Sequence, residues 1–341
     1  MRLPRWARTI GRAALRCAEG LVLLWCALAI WFMPPPWVWL RALLAILFAA
    51  FGVWALWAAR TPRRVAAFVA VFGVVALVWS LIRPTHEREW RTDVAVMPTV
   101  VVDGDRLRFH HVRDFRYRTQ HDFAPRYKER EVRLSQLIGA DLFISYWTPG
   151  PIGHTFLSFE FADADPISIS IEARPESHEG YAPVASLFKQ FELIYVVGEE
   201  RDLVGVRTNH RLEDVYMYRI AMTPQTAREL LAVYVERINE LAERAEFYHL
   251  LSNNCTLNII RYAARIGAPV RFNVRHYLNG LIDGYLYQAG RLDSTLPFDE
   301  LRRRAHINEP AQAADGRGDF PQLIRAHLPP RRNDRSASGR P

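Results

Sequence analysis

Ser252-Asn253-Asn254-Cys255-Thr256, running on into Leu257-Asn258-Ile259-Ile260, is the stretch around which the soluble part of this chain organises itself. Two asparagines favour the N-cap position, so a helix is predicted to open at Cys255. A thiol there lies at the positive end of the helix dipole, which favours thiolate. The other cysteines, Cys17 and Cys26, lie in the apolar N-terminal third, so Cys255 has no disulfide partner in the soluble part. A lone thiol in an oxidising compartment is a liability unless it is buried or used. Beyond it, Leu257, Ile260 and Ala264 face one way with Ile259, Ala263 and Ile266 alongside. Arg261 and Arg265 are spaced i, i+4 on the other side, and Gly267 is the stop.

Upstream, Thr223 reads as an N-cap with Pro224 at the first helical position. Leu230, Leu231, Val233, Tyr234, Ile238 and Leu241 form the apolar face of that helix. Before it come short β-type runs at 142–147, 155–161, 167–173, 193–197, 203–207 and 215–220. Strands followed by helices predict an α+β domain, an antiparallel sheet packed on helices, over 115–270. Residues 84–114 read as a linker, 271–328 as a helical extension, and 329–341 as a disordered tail.

Of the 44 basic and 36 acidic residues, ten arginines and a single acid, Glu19, lie within 1–83. The net charge of +8 therefore belongs to that third, and the remainder is nearly balanced. The arginines flank three apolar runs, Cys17–Met33, Trp37–Ala59 and Val65–Ile82, each near the roughly 20 residues that cross a bilayer core. Membrane topology thus accounts for the basic charge without nucleic acid, and the bilayer is the first partner expected. One signal peptide would give a single short run. By the positive-inside rule the N-terminus is cytoplasmic and everything after Ile82 is outside.

A cysteine nucleophile needs a base and a group that orients the base. His154, in Gly153-His154-Thr155-Phe156-Leu157-Ser158-Phe159, opens a strand beside a glycine that leaves room for a substrate. Pairing Phe161 with Ile167 in a hairpin places His154 opposite Arg174 and diagonal to Glu172, on one face with Ser170 and Ser158. Glu172 is therefore the candidate for holding the imidazole, although a slip of one residue would turn it away. Plainer readings stand beside these. Cysteine also serves as a small buried hydrophobe, histidine as a surface or hydrogen-bonded residue, and Glu172 as a solvated strand carboxylate. Asn253 and Asn254 are caps, or one joins the Cys255 N–H in an oxyanion site. His110, His111 and His121 match no standard metal spacing, and no cofactor is expected.

Several segments in fixed order carry a resemblance. They are Asp114-Phe115-Arg116-Tyr117-Arg118, Leu134-Ser135-Gln136-Leu137 leading to Asp141-Leu142-Phe143-Ile144-Ser145-Tyr146-Trp147, the His154 and Ile169–Arg174 segments, Leu187–Tyr195, and Asn253-Asn254-Cys255-Thr256. Together they resemble the Lnb N-terminal periplasmic domain family, over roughly 110–270. That resemblance implies a permuted papain-like, NlpC-type fold, in which histidine-bearing strands precede the nucleophile helix. It also implies a relation to a lipoprotein N-acyltransferase whose membrane helices follow the domain, whereas the three apolar runs precede it here. The expected function is a membrane-anchored thiol acyltransferase or hydrolase acting on a lipoprotein or phospholipid acyl group, with Cys255 as nucleophile, His154 as base and Glu172 as its orienter. Two rivals remain at this stage. A cell-wall peptide hydrolase would need a polar open groove, and a non-catalytic binding module would keep Cys255 and His154 apart.

Overall fold

The computed structural model describes residues 4–33, 37–268, 271–293 and 295–331. The chain divides into two compact units, Met1–Thr85 with Tyr181–Phe191, and His86–Gly180 with Glu192–Pro341.

In the first unit, α1 (Arg5–Trp31), α2 (Val38–Val53, extended by a π-type turn to Ala58) and α3 (Pro62–Leu81) are each long and apolar enough to cross a membrane. Leu23, Cys26 and Ile30 of α1 pack with Phe48 of α2, Ala55 and Leu56 of its extension, and Phe68 of α3. A side chain at Gly52 would come within 2.3 Å of Leu23, so glycine lets α1 and α2 approach closely. Glu19 pairs with Arg60 at 2.6 Å and accepts from the Trp57 indole at 3.0 Å. Helix α1 starts well before the first apolar run, and the spacing of Arg5, Arg8, Arg12 and Arg16 puts them along one face of its first turns. The 181–191 segment joins this unit. Phe188 stacks on Phe32 at 5.6 Å, and the Lys189 ammonium donates to the carbonyls of Trp79, Ser80 and Ile82. These include carbonyls that the last turn of α3 leaves without helical partners.

The second unit is built on β1 (Thr99–Asp103), β2 (Arg106–Arg113), a small hairpin of β3 (Arg116–Tyr117) and β4 (Phe123–Ala124), then β5 (Tyr127–Arg133), β6 (Leu137–Tyr146), β7 (His154–Phe161), β8 (Ile167–Arg174), β9 (Glu192–Gly198) and β10 (Asp214–Arg219). Among the described residues eight of these form one sheet in the order β1-β2-β9-β8-β7-β6-β10, with β5 also on β2. The 84–114 stretch is therefore more than a linker, since β1 and β2 pair from Thr99↔His110 to Asp103↔Arg106. Its charged residues alternate with Val100, Leu107 and Phe109, which are buried, and a half-exposed edge hairpin reads as polar in a composition scan.

Consecutive residues of a strand point to opposite faces, and both faces of the central strands are covered. On one side lie α5 (Pro224–Glu243) and α6 (Cys255–Arg265), where Tyr234 meets Phe159 edge-on and Tyr195 and Tyr262 share a buried hydroxyl contact. Thr223 caps α5 as expected, its side chain accepting from the Thr226 N–H. On the other side, α4 (Glu200–Leu203) and a π-type turn at Val206–His210 occupy the 203–207 run that the sequence suggests as a strand. A short apolar run fits a helical turn as well as a strand, and here ion pairs decide. Glu200 pairs with Arg325, and Asp202 with Arg113.

Downstream come α7 (Ile282–Gln288), α8 (Phe298–Ala305), α9 (Asn308–Ala313) and α10 (Phe320–Arg325). Arg325 joins Asp141 and Glu200 at 2.8 and 2.6 Å, and Arg331 joins Asp141 and Glu160 at 2.6 and 2.7 Å, all against the sheet. Arg331, which composition assigns to the tail, is thus buried. Residues 332–341 lie outside the described residues.

Candidate active site

Helix α6 opens at Cys255 because Asn254 holds its entrance. The Asn254 carboxamide oxygen accepts from the Leu257 N–H at 2.9 Å, and its amide nitrogen donates to the Leu250 carbonyl. Asn253 braces the same loop, donating to the Phe247 carbonyl and accepting from Asn258. Both asparagines thus set the position of Cys255 through the loop. Cys255 is 3 % exposed, and the face of α6 beside it, Asn258 and Tyr262, is buried.

The histidine arrives from the sheet. β7 and β8 pair with Phe159 opposite Ile167 and Phe156 opposite Ser170, two residues away from the register inferred from the sequence. A shift by two keeps every residue on its face. Continued along the hairpin, that register sets His154 opposite Glu172 and diagonal to Ser170, and removes Arg174 from the site. The Arg174 guanidinium instead donates to the carbonyls of Val94 and Ala95. The His154 ring nitrogen Nε2 lies 2.7 Å from Ser170 Oγ and 3.9 Å from Glu172 Oε1. Ser158, further along the same face, donates to Glu200 and belongs to the ionic cluster.

Glu172 is principally the partner of Arg207, at 2.9 Å. Burial alone would raise its carboxyl pKa. Arg207 first, then His154, Arg113 and a Ser170 hydrogen bond outweigh burial and hold it well below the usual carboxylate range. It is therefore a fixed negative charge beside the imidazole. Arg207 also lies over the Phe156 ring, on which His154 stacks from a centroid distance of 5.9 Å.

The same balance sets the thiol. Burial pushes Cys255 up, but the charge and hydrogen bond of His154, with hydrogen bonds from the backbone and side chain of Thr155, pull it down from 9.0 to about 6. The thiol is thus biased toward thiolate near neutrality.

Sequence reasoning missed Asn279. It sits in the 3₁₀ turn Asn279–Leu281, 24 positions after the cysteine. Its amide nitrogen Nδ2 lies 3.9 Å from Cys255 Sγ and 3.1 Å from Thr256 Oγ1, while its oxygen accepts from the Gly153 N–H at 2.9 Å. Thr256 and Thr155 hydroxyls meet at 2.8 Å, fastening α6 to β7. Gly153 does not make room for a substrate, as the sequence suggests. A Cβ there would lie 2.9 Å from the Ser145 carbonyl, so the glycine admits the neighbouring strand. The one available signal for Asn279 was its position before Gly280, whose missing Cβ lets this turn close on Tyr146 and Pro151.

Beside these threonines opens a cavity of about 700 Å³. Thr155 and Thr256 form part of its wall, and Leu142, Leu157, Leu230, Ile259, Ile260 and Ala263 contribute apolar surface. The apolar stripe of α6 therefore lines open space as much as core.

Residues 123–284 match the family model described as the Lnb N-terminal periplasmic domain, in agreement with the resemblance read from the motifs. That span holds His154, Ser170, Glu172, Cys255 and Asn279. No curated protein and no solved structure matches the chain. With three apolar helices ahead of the domain, the chain is a membrane protein with a periplasmic domain.

Proposed function

We propose that this membrane protein, whose periplasmic domain is of the Lnb N-terminal kind, is a thiol acyltransferase or hydrolase acting on a lipid or lipoprotein acyl group. The observation that carries the reading is the apolar cavity whose wall includes Thr155 and Thr256, which are hydrogen-bonded to each other, Thr256 also accepting from the Asn279 amide that approaches the sulfur. Its volume falls within the few hundred to roughly 1,000 Å³ of ligand sites, and its apolar lining suits a hydrocarbon chain. A wall peptidase would need a polar groove.

In this reading Cys255 Sγ attacks the ester or amide carbonyl carbon, and the carbonyl π pair moves onto oxygen. The Cys255 N–H, one of the donors a helix start leaves free, and Asn279 Nδ2 receive that negative charge. Collapse re-forms the carbonyl and expels the leaving group, which takes the proton held by His154. The thioester then passes its acyl group to an amine or water, with His154 accepting the proton from that nucleophile. Ser170 fixes the ring and Glu172 supports its positive charge. Topology follows the arginine bias, with the N-terminus cytoplasmic and this chemistry at the periplasmic face of a bacterial inner membrane. Confinement beside the bilayer raises the effective concentration of lipid substrates.

The test is turnover of acyl esters of graded chain length by the full-length protein. Each methylene that enters the cavity contributes about 0.8 kcal/mol, roughly fourfold in kcat/KM. A flat chain-length profile, or full activity in Cys255→Ser, refutes the proposal.

A further inference from the structure

Around the cavity entrance the chain exposes what a soluble domain ordinarily hides. Phe272, part of the cavity wall, is 82 % exposed, and its ring lies 6.2 Å from that of Tyr277. Val274 between them is 59 % exposed, and Tyr277 and Leu281 are also exposed. The Gly280 N–H donates to the Pro151 carbonyl at 2.9 Å, which brings exposed Ile152 beside this turn. Single exposed apolar residues are ordinary, whereas a contiguous group around a cavity mouth marks an interaction surface.

The charge around this rim has one sign. From Ile266 to Arg291 the basic residues are Arg271, Arg275 and Arg291, apart from His276, and the single acid is Asp283. Asp283 is buried and neutralised by Arg302, with Tyr218 donating to it at 2.9 Å. Arg275 binds only the neutral Gln288 side chain among the contacts described, at 3.0 Å. Arg271 and Arg291 both line the cavity, and among the described residues neither forms an ion pair.

A third observation comes from inside the mouth. His276 also lines the cavity, is 5 % exposed, and its Nε2 has no hydrogen-bond partner among the described residues. A buried polar atom facing an apolar cavity is costly unless a ligand atom meets it.

We propose that this rim is a lipid-docking surface. Phe272, Val274 and Tyr277 enter the interfacial layer of an anionic leaflet, Arg271 and Arg291 meet its phosphates, and His276 receives a polar headgroup atom as a chain passes into the cavity. Aromatic side chains flanked by arginine are the composition that favours a bilayer interface. Charge complementarity selects anionic lipid over a neutral surface, at roughly fivefold in affinity per arginine. The proposal extends the acyl-chain reading of the cavity, but rests on the rim and needs no turnover.

The experiment places a photoreactive benzoyl-phenylalanine at Phe272 in the full-length protein. A control carries it at Val102, an exposed residue on β1 at the opposite edge of the sheet. Both are reconstituted into vesicles of phosphatidylcholine, with or without phosphatidylglycerol, and adducts are read by mass spectrometry. Lipid adducts are expected at 272 and not at 102. They should increase several-fold with phosphatidylglycerol, and that increase should vanish in Arg271→Glu/Arg291→Glu. Cys255→Ser should cross-link as the unaltered residue does, so failure of the chemistry and failure of docking are told apart. Equal labelling at 272 and 102, adducts at 272 to polypeptide alone, or indifference to phosphatidylglycerol would overturn the proposal.

Discussion

Replacing His154 by alanine isolates the interaction on which the site depends. In the intact protein the Cys255 thiol is held at about 6 against an ordinary 9.0, with burial opposing and His154 supplying the main downward pull. A lowered thiol pKa means that thiolate is present above about pH 6 and is lost as pH falls through that value. At pH 7 roughly nine-tenths of the sulfur is ionised. Without the imidazole, burial and the Thr155 hydrogen bonds remain, and the thiol returns to around its ordinary range, leaving about one per cent thiolate at pH 7. Alkylation by iodoacetamide at pH 7, followed by peptide mass mapping at Cys255, should therefore slow roughly a hundredfold in His154→Ala. The inflection of its pH–rate profile should move up by several units. Mapping the single peptide keeps Cys17 and Cys26 out of the measurement. An unchanged profile would show that the imidazole does not govern the sulfur.

Other variants separate the roles further. Asn279→Ala should lower acyl turnover by roughly 10²–10³ while leaving alkylation of Cys255 nearly unchanged, because alkylation develops no oxyanion. Equal loss of both would reduce Asn279 to a structural brace. Ser170→Ala frees the imidazole Nε2, and the expected fall in kcat is about tenfold or more with KM little changed. Glu172→Gln should lower the melting temperature as well as kcat, since it removes the nearest carboxylate from the buried Arg207 and leaves it Glu213 at 4.0 Å and the Leu203 carbonyl. Ala263→Trp, which projects into the cavity, should reduce turnover of long-chain esters and spare acetyl esters. If both chain lengths fall together, the cavity does not hold the chain.

The membrane helices were legible from hydropathy and arginine placement, because a bilayer imposes length and charge rules on a single segment. The Cys255 helix was equally legible, since Asn254 is a local cap and needs no tertiary information. The hairpin pairing of β7 with β8 could be read as far as which residues share a face, but it landed two positions away. Alternation fixes parity, and turn geometry fixes the rest. The sheet edge at 99–113 was lost because its strands carry charge on alternate residues, and α4 because a short apolar run carries no period of its own. Arg207 and Asn279 were unreadable for a different reason. Each reaches the site through a non-local contact, 35 positions from Glu172 and 24 from Cys255, and the glycine after Asn279 is the sole local mark that sets either apart from a surface residue.

The most direct test of the central claim is to look for the covalent intermediate. The full-length protein is incubated with a long-chain acyl ester, quenched in acid, and the Cys255 peptide is weighed with and without neutral hydroxylamine. An added acyl mass is expected on that peptide, removable by hydroxylamine and absent in both Cys255→Ser and His154→Ala. Sustained turnover with no acyl mass at Cys255, or turnover that survives Cys255→Ser, would contradict it.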